Sequence, residues 1–282
     1  MSVHVSAERS GGVLTIRFTN PARRNAMSAA FRAELARALH VASTDARVKA
    51  VYITGSGAAF CAGGDLQVLK AGCEPWTVYR RFRDMEKWLL PLFGLDKPVV
   101  VGVNGYAVGG GIGLALSGDI IVAAESAKFV PGFFRLGVVP DVGTMYSLPR
   151  LIGLARAKQF LFSGETWTAQ HALNMGLVCK VVADEQLDDE CMRRASALAA
   201  GPANIMGLAK RIMSNTFETG LAEMSMLEGL GQALSMSSAE FRDRLNAMLE
   251  TTKAAPANRK AARRTGAGAG ARKTSRKTGE RK

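Results

Sequence analysis

The stretch from 99 to 119, VVVGVNGYAVGGGIGLALSGD, limits what this chain can fold into more than any other. It opens on a continuous β-branched run, the pattern of a strand buried on both faces. Gly105, Gly109, Gly110 and Gly111 then crowd one turn before a small-residue helix expected over 112–117. Glycine accepts positive φ and lets a second backbone or a ligand come close. A helix start adds unpaired N–H groups and the positive end of a dipole. Buried strand, glycine turn and helix start in series predict a cradle for negative charge, permanent or transient. Tight packing is the plainer reading of one such turn taken alone.

The chain holds a second turn of this kind. Ala50 to Thr54 reads as a strand and runs into GSGAAFCAGGDL, which ends at a helix start near Leu66. Upstream, Val13 to Phe18 alternates like a half-buried strand after a Gly11-Gly12 turn, and Asn20-Pro21 breaks it. A helix capped by Ser28 then presents Phe31, Leu35, Ala38, Leu39 and Ala42 on one face. Residues 74–94 read as a helix bracketed by Pro75 and Pro91. Its Trp76, Tyr79 and Trp88, with Phe133 and Phe134 further along the chain, suit either core packing or a roomy aromatic pocket that binds the substrate. Further strands are expected at 120–123 and 177–182, and helices at 143–152, 155–162, 168–175 and 184–200. From Pro202 to about Glu250 the pattern is Met- and Leu-rich and helical, with breaks at Gly220 and Ser237-Ser238. The methionines there favour adaptable packing over a cofactor box. The organisation predicted is an α/β core over 1–201, a helical region over 202–252 and a tail over 253–282.

Charge sets the tail apart. The whole chain of 282 residues carries a formal +13, but eleven Lys/Arg and one acid fall in 253–282, leaving +3 for the rest. With no large apolar side chain, the tail is expected to stay disordered. It offers weak, salt-sensitive attraction to nucleic acid or other acidic surfaces, without the interleaved aromatics of a dedicated binder. The body, by contrast, sits in a chain that is 48% hydrophobic and long enough for a large core. Cys61, Cys73, Cys179 and Cys191 show no metal or disulfide spacing, so reduced thiols and no metal are expected. No signal peptide is evident, and no apolar run approaches the roughly 18 residues of a membrane span. These features predict a soluble, cytoplasmic protein.

If the two glycine turns face one another, two backbone N–H groups converge as an oxyanion hole, each donor giving about 3–4 kcal/mol to a developing anion. A dinucleotide-binding βαβ unit is the competing reading, with Glu125 as its acid after the second strand. The glycine spacing does not give G-x-G-x-x-G, and the helix has only about two turns.

Three segments narrow the choice: AFCAGGDL at 59–66, NGYAVGGGIGLALSGD at 104–119 and LGVVPDVGTMYSLPRLIG at 136–153. With PARRNA at 21–26 and SAEFRDRLNAMLE at the helical end, they make the chain resemble the enoyl-CoA hydratase/isomerase (crotonase) superfamily over residues 3–252. The resemblance implies a spiral of repeated ββα units and a C-terminal helical region that builds trimers, often paired into hexamers. It implies an acyl-CoA thioester substrate and no separate cofactor, since CoA arrives with the substrate. It also implies that the main-chain amides of Gly64 and Gly110 polarise the thioester carbonyl. Arg23 or Arg24 would meet the CoA phosphates, with Ala62, Gly63, Asp65 and Leu66 flanking the adenine and pantetheine path.

The departures from that family decide the chemistry. Family hydratases use two glutamates, and the matching positions here are Gly113 and Phe133. Neither accepts a proton, so hydration by the two-glutamate route is not expected. Asp141, in VVPDVG, falls where family isomerases of the 1,2-epoxyphenylacetyl-CoA isomerase type keep a single acid. Its plain structural reading is a helix cap. Burial beside Phe133, Phe134 and Val139 is expected to raise its pKa toward useful basicity. A family dehalogenase uses an aspartate nearby but needs a histidine, and His4, His40 and His171 all lie outside the matching segment. Asp65 and Asp119 read as structural turn acids. The function predicted is an acyl-CoA isomerase working through a thioester enolate, shifting a double bond or opening a strained ring. The alternatives are a hydratase-type lyase with an atypical site and a non-catalytic acyl-CoA-binding protein. A further one is a scaffold whose tail binds nucleic acid.

Overall fold

The computed structural model describes residues 3–70 and 74–250, so the basic tail and Cys73 lie outside the described residues. The first elements are β1 (Val5–Ser10), β2 (Val13–Phe18), α1 (Ala29–Thr44), β3 (Ala50–Gly55), β4 (Ala59–Cys61), α2 (Leu66–Lys70) and α3 (Pro75–Phe93). Next come β5 (Val99–Val103), β6 (Tyr106–Val108), α4 (Gly110–Ala115), β7 (Ile120–Ala124), β8 (Lys128–Val130), α5 (Thr144–Ile152) and α6 (Leu154–Ser163). The chain continues through β9 (Trp167–Thr168), α7 (Ala169–Asn174), β10 (Lys180–Val182), α8 (Leu187–Ala199), α9 (Ala203–Met213) and α10 (Leu221–Ser237). It divides into two compact units, Met1–Met224 and Ser225–Lys282. In the second, the end of α10 is followed by a helical run over 239–250.

Three strand pairs explain the first unit: β3/β4, β5/β6 and β7/β8. The leading strand of each pair joins a six-stranded sheet ordered β1-β2-β3-β5-β7-β10. The trailing strand joins a smaller sheet ordered β4-β6-β8-β9. Within the large sheet β2, β3, β5, β7 and β10 run parallel, with Val51 beside Val99 and Val101 beside Ile121. Parallel neighbours need a crossover between them, and helices supply it. Each repeat is thus a ββα turn of one spiral. The central strands β3 and β5 are buried along their whole length because helices cover both faces of the sheet. On one face α1 lays down Phe31, Leu35, Ala38, Leu39 and Ala42, the stripe its sequence predicts. Ser28 caps it, its Oγ accepting from Phe31 N at 3.2 Å. On the other face α8 buries Cys191 and Ala195 against Tyr52, Val100 and Val122.

Some expectations shift. Pro91 lies inside α3 rather than ending it, because an exposed proline one turn from the C-terminus forfeits a single hydrogen bond and the helix continues to Phe93. Helix α4 starts at Gly110, two residues early, since Gly109 at φ +52 makes the bend itself. Strands β1, β4 and β6 emerge where the sequence read only turns and irregular chain. Trp88 is buried in the core, whereas Trp76 and Tyr79 stand exposed on α3, edge to face at 5.7 Å. No helix among the described residues is long and apolar enough to cross a membrane.

Candidate active site

Two loops and one turn meet at the start of α4. The first loop carries residues 59–66. Gly63 takes φ +79, and a Cβ there would stand 2.6 Å from Val108 O and 3.3 Å from Gly110 N. At Gly111 a Cβ would fall 2.1 Å from Cys61 O. The two glycine turns are therefore in direct backbone contact, which only residues without side chains permit. Gly110 is buried as the first residue of α4, and Gly64 is exposed. Neither main-chain N–H donates to an acceptor among the described residues.

The third component is the turn at 140–143. Asp141 Oδ1 lies 3.2 Å from the point where a Gly110 Cβ would stand. The carboxyl is half-buried, and loss of water raises its pKa to about 6, opposed only by its own backbone amide. Thr144 N donates to Asp141 O at 2.9 Å and ties the turn to α5. Val142 is buried at φ +52, a conformation that costs a β-branched residue of order 1–3 kcal/mol. What holds it there is Gly113. A Cβ on Gly113 would stand 2.1 Å from Val142 O and 2.9 Å from Thr144 Oγ1, so backbone fills the space a side chain at 113 would need. The Thr144 hydroxyl is buried with no hydrogen-bond partner among the described residues.

The remaining predicted residues divide. Arg23 pairs with Asp65 at 3.0 Å, and Asp65 Oδ1 also accepts from Gln67 N at 3.0 Å, capping α2 as a structural acid would. Arg24 is exposed at φ +48, and its carbonyl accepts from Ala62 N at 2.9 Å. Both arginines thus flank the 62–66 segment, while Leu66 is exposed. Phe133 is buried, its ring 3.7 Å from a Gly109 Cβ position. Phe134 instead stacks edge-on with Phe162 at 5.5 Å, and both it and Val139 are exposed. Of the apolar surround predicted from Phe133, Phe134 and Val139, the last two are exposed and Phe133 alone is buried near the site. Met27 Cε and Val142 Cγ2 lie 2.7 and 2.8 Å from the Gly110 Cβ position, because the segment after Phe133 turns out through left-handed Gly137.

Sequence reasoning missed Asn25, Met27 and Val142. Asn25 is fully buried at φ +55. Its side chain accepts from Asn20 N (2.9 Å) and donates to Ser56 O (3.0 Å) and Ala59 O (2.7 Å), fastening the 20–27 loop to the turn before β4. The one signal was asparagine's tolerance of left-handed backbone. The histidines stay away from the site. The His4 ring meets Asn20, His40 is exposed on α1 and His171 stacks on Trp167. Asp119 accepts from Val99 N at 2.7 Å and Lys210 at 2.8 Å, a structural tie. Among the described residues no cluster of His, Cys, Asp and Glu is placed to hold a metal ion. A cleft of about 420 Å³ lies on the opposite face of the large sheet, where Arg17 and the Tyr52 hydroxyl are both tied to Asp188.

A sequence profile described as enoyl-CoA hydratase/isomerase matches residues 8–257. The chain is 39% identical over 257 residues to a probable enoyl-CoA hydratase of Rhodobacter capsulatus, covering 89% of this chain and 96% of that one. It is 37% identical over 245 residues to the 1,2-epoxyphenylacetyl-CoA isomerase of Escherichia coli, covering 84% and 92%. It is 35% identical over 221 residues to 4-chlorobenzoyl coenzyme A dehalogenase-2 of an Arthrobacter species, covering 77% and 80%. Among solved structures, a putative enoyl-CoA hydratase/isomerase from Mycobacterium abscessus superposes with a TM-score of 0.83 at 31% identity, covering 88% and 96%.

Proposed function

The chain belongs to the enoyl-CoA hydratase/isomerase family, and from that membership we propose that it is an acyl-CoA isomerase with Asp141 as its single acid–base. One observation carries the reading. The Asp141 carboxylate lies beside the start of α4, and the Val142 carbonyl fills the space at Gly113 that a first glutamate would need.

The proposed reaction is a double-bond shift. The Asp141 carboxylate takes a proton from the carbon next to the thioester carbonyl of a 3-enoyl-CoA. The C–H electron pair moves into the new C=C bond, and the carbonyl electrons move to oxygen. The free N–H groups of Gly64 and Gly110 receive that oxyanion, Gly110 adding the positive end of its helix. Asp141 then returns the proton to the γ carbon, the remote double bond moves into conjugation and the carbonyl re-forms. Opening of a strained ring next to the thioester uses the same enolate and the same acid. A pKa near 6 leaves the carboxylate mostly ionised at neutral pH yet basic enough to take the proton. Arg23 and Arg24 are the proposed contacts for the CoA phosphates, beside Ala62, Gly63 and Asp65.

Proton exchange in deuterated water tests the reading, with 3-hexenoyl-CoA as substrate. Asp141→Asn is expected to slow exchange by about 10²–10⁴-fold while leaving thioester affinity unchanged. An Asp141→Asn enzyme that exchanges at the wild-type rate overturns it. So does a wild type that hydrates 2-hexenoyl-CoA faster than it isomerises 3-hexenoyl-CoA.

A further inference from the structure

Met27 holds the first glycine turn with its main chain while its side chain rests on the second. Its N–H donates to Gly63 O at 2.8 Å, and it forms a parallel bridge with Gly64. Its carbonyl accepts from Arg32 at 2.8 Å, and Asn25, two residues back, is fastened to the turn before β4. The backbone at 27 is therefore fixed on both sides. The side chain is buried, and its Cε reaches the point beside Gly110 that Asp141 Oδ1 also approaches.

We propose that Met27 is a positioning residue for the enolate site: its backbone sets the Gly64 amide, and its thioether sets the seat of Gly110 and keeps water from Asp141. This rests on the isomerase reading above. An unbranched thioether suits the task, since it fills an irregular gap between two backbones without a fixed shape of its own. A spacing error of about 1 Å between reacting groups costs on the order of 10²-fold in rate, so one methyl contact has leverage.

The charged groups around Asp141 leave desolvation in control. Helix α4 carries no titratable side chain. Asp65 is paired with Arg23, Arg24 is exposed, and Arg32 is spent on the Met27 carbonyl. Arg135 donates to Gly164 O, Arg150 pairs with Glu218, and the Cys61 thiol is pushed up to about 12 by burial and stays neutral.

The test compares wild type, Met27→Ala, Met27→Leu and Met27→Gln in the deuterium exchange of 3-hexenoyl-CoA, from about pH 4.5 to about pH 8.5 so as to bracket the carboxyl titration. Met27→Ala is expected to lower kcat by about 10–100-fold with KM unchanged, and to move the acidic limb of the pH profile down by about one pH unit as water reaches the acid. Met27→Leu, close in volume, is expected to stay within about threefold of wild type in kcat and to keep its pH midpoint. Met27→Gln keeps the length and wets the carboxyl, so it carries the same change in pH profile and decides the matter if Met27→Ala does not fold. Exchange by Met27→Ala and Met27→Gln with wild-type kcat and wild-type midpoint overturns the Met27 assignment alone. A wild type that exchanges no proton removes the isomerase reading and this assignment together.

Discussion

Asp141 is held in the folded chain with its pKa raised, so its ionised form is penalised there relative to the unfolded chain. The resulting stability is fully present below the unfolded value near 3.8 and is lost as pH rises through about 6. At pH 7 the penalty is about 2–3 kcal/mol, since each tenfold weakening of the acid on folding is worth about 1.4 kcal/mol. Asp141→Asn is therefore expected to raise the urea midpoint at pH 7 even as it slows exchange, with the stability gain gone at pH 4; denaturation at the two pH values checks it. In the wild type, kcat/KM is expected to rise with pH and level off above about 6 as the carboxylate forms. The three residues proposed for this chemistry were legible because each is a motif position: Gly64 after Gly63, Gly110 at a helix start, Asp141 after Pro140. Met27 and Val142 were not. An apolar residue in a loop looks the same in sequence whether it faces solvent, core or carboxylate, and nothing about valine foretells a positive φ.

Helices with a clean 3.6-residue stripe were readable to within a residue or two, as α1 shows. The trailing strands β4 and β6 were not, for they are three residues long and embedded in the glycine turns they shape. Alternation needs more residues than that to register. The contact between α4 and the turn at 140–143 is long-range and made by backbone, so it leaves only a glycine as its trace. Gly113→Ala tests it. The added methyl meets Val142 O and is expected to destabilise the fold by about 1–3 kcal/mol in urea titration. Exchange should fall further than the lost stability accounts for, because the displaced turn carries Asp141 with it. Asn25→Ala is expected to cost about 1–3 kcal/mol, taking the side-chain donor from the Ser56 carbonyl and leaving the Ala59 carbonyl with the longer bond from Asn104 at 3.4 Å.

At the scale of the molecule, the first unit leaves Phe162, Met213, Phe217 and Leu221 exposed. Large apolar side chains in such number on one unit point to surfaces covered by further copies of the chain. The family resemblance implies a trimer or a pair of trimers; sedimentation equilibrium tests it, and if these side chains line the contact Phe162→Glu with Phe217→Glu is expected to lower the mass. The basic tail is separable from this. Deleting 253–282 is expected to leave exchange intact and to remove whatever polyanion affinity the full chain shows at low salt. The seat of the Val142 carbonyl has one more consequence. A glutamate introduced at 113 would evict the strand of backbone that presents Asp141, so the acid a newcomer was meant to assist would be lost on its arrival.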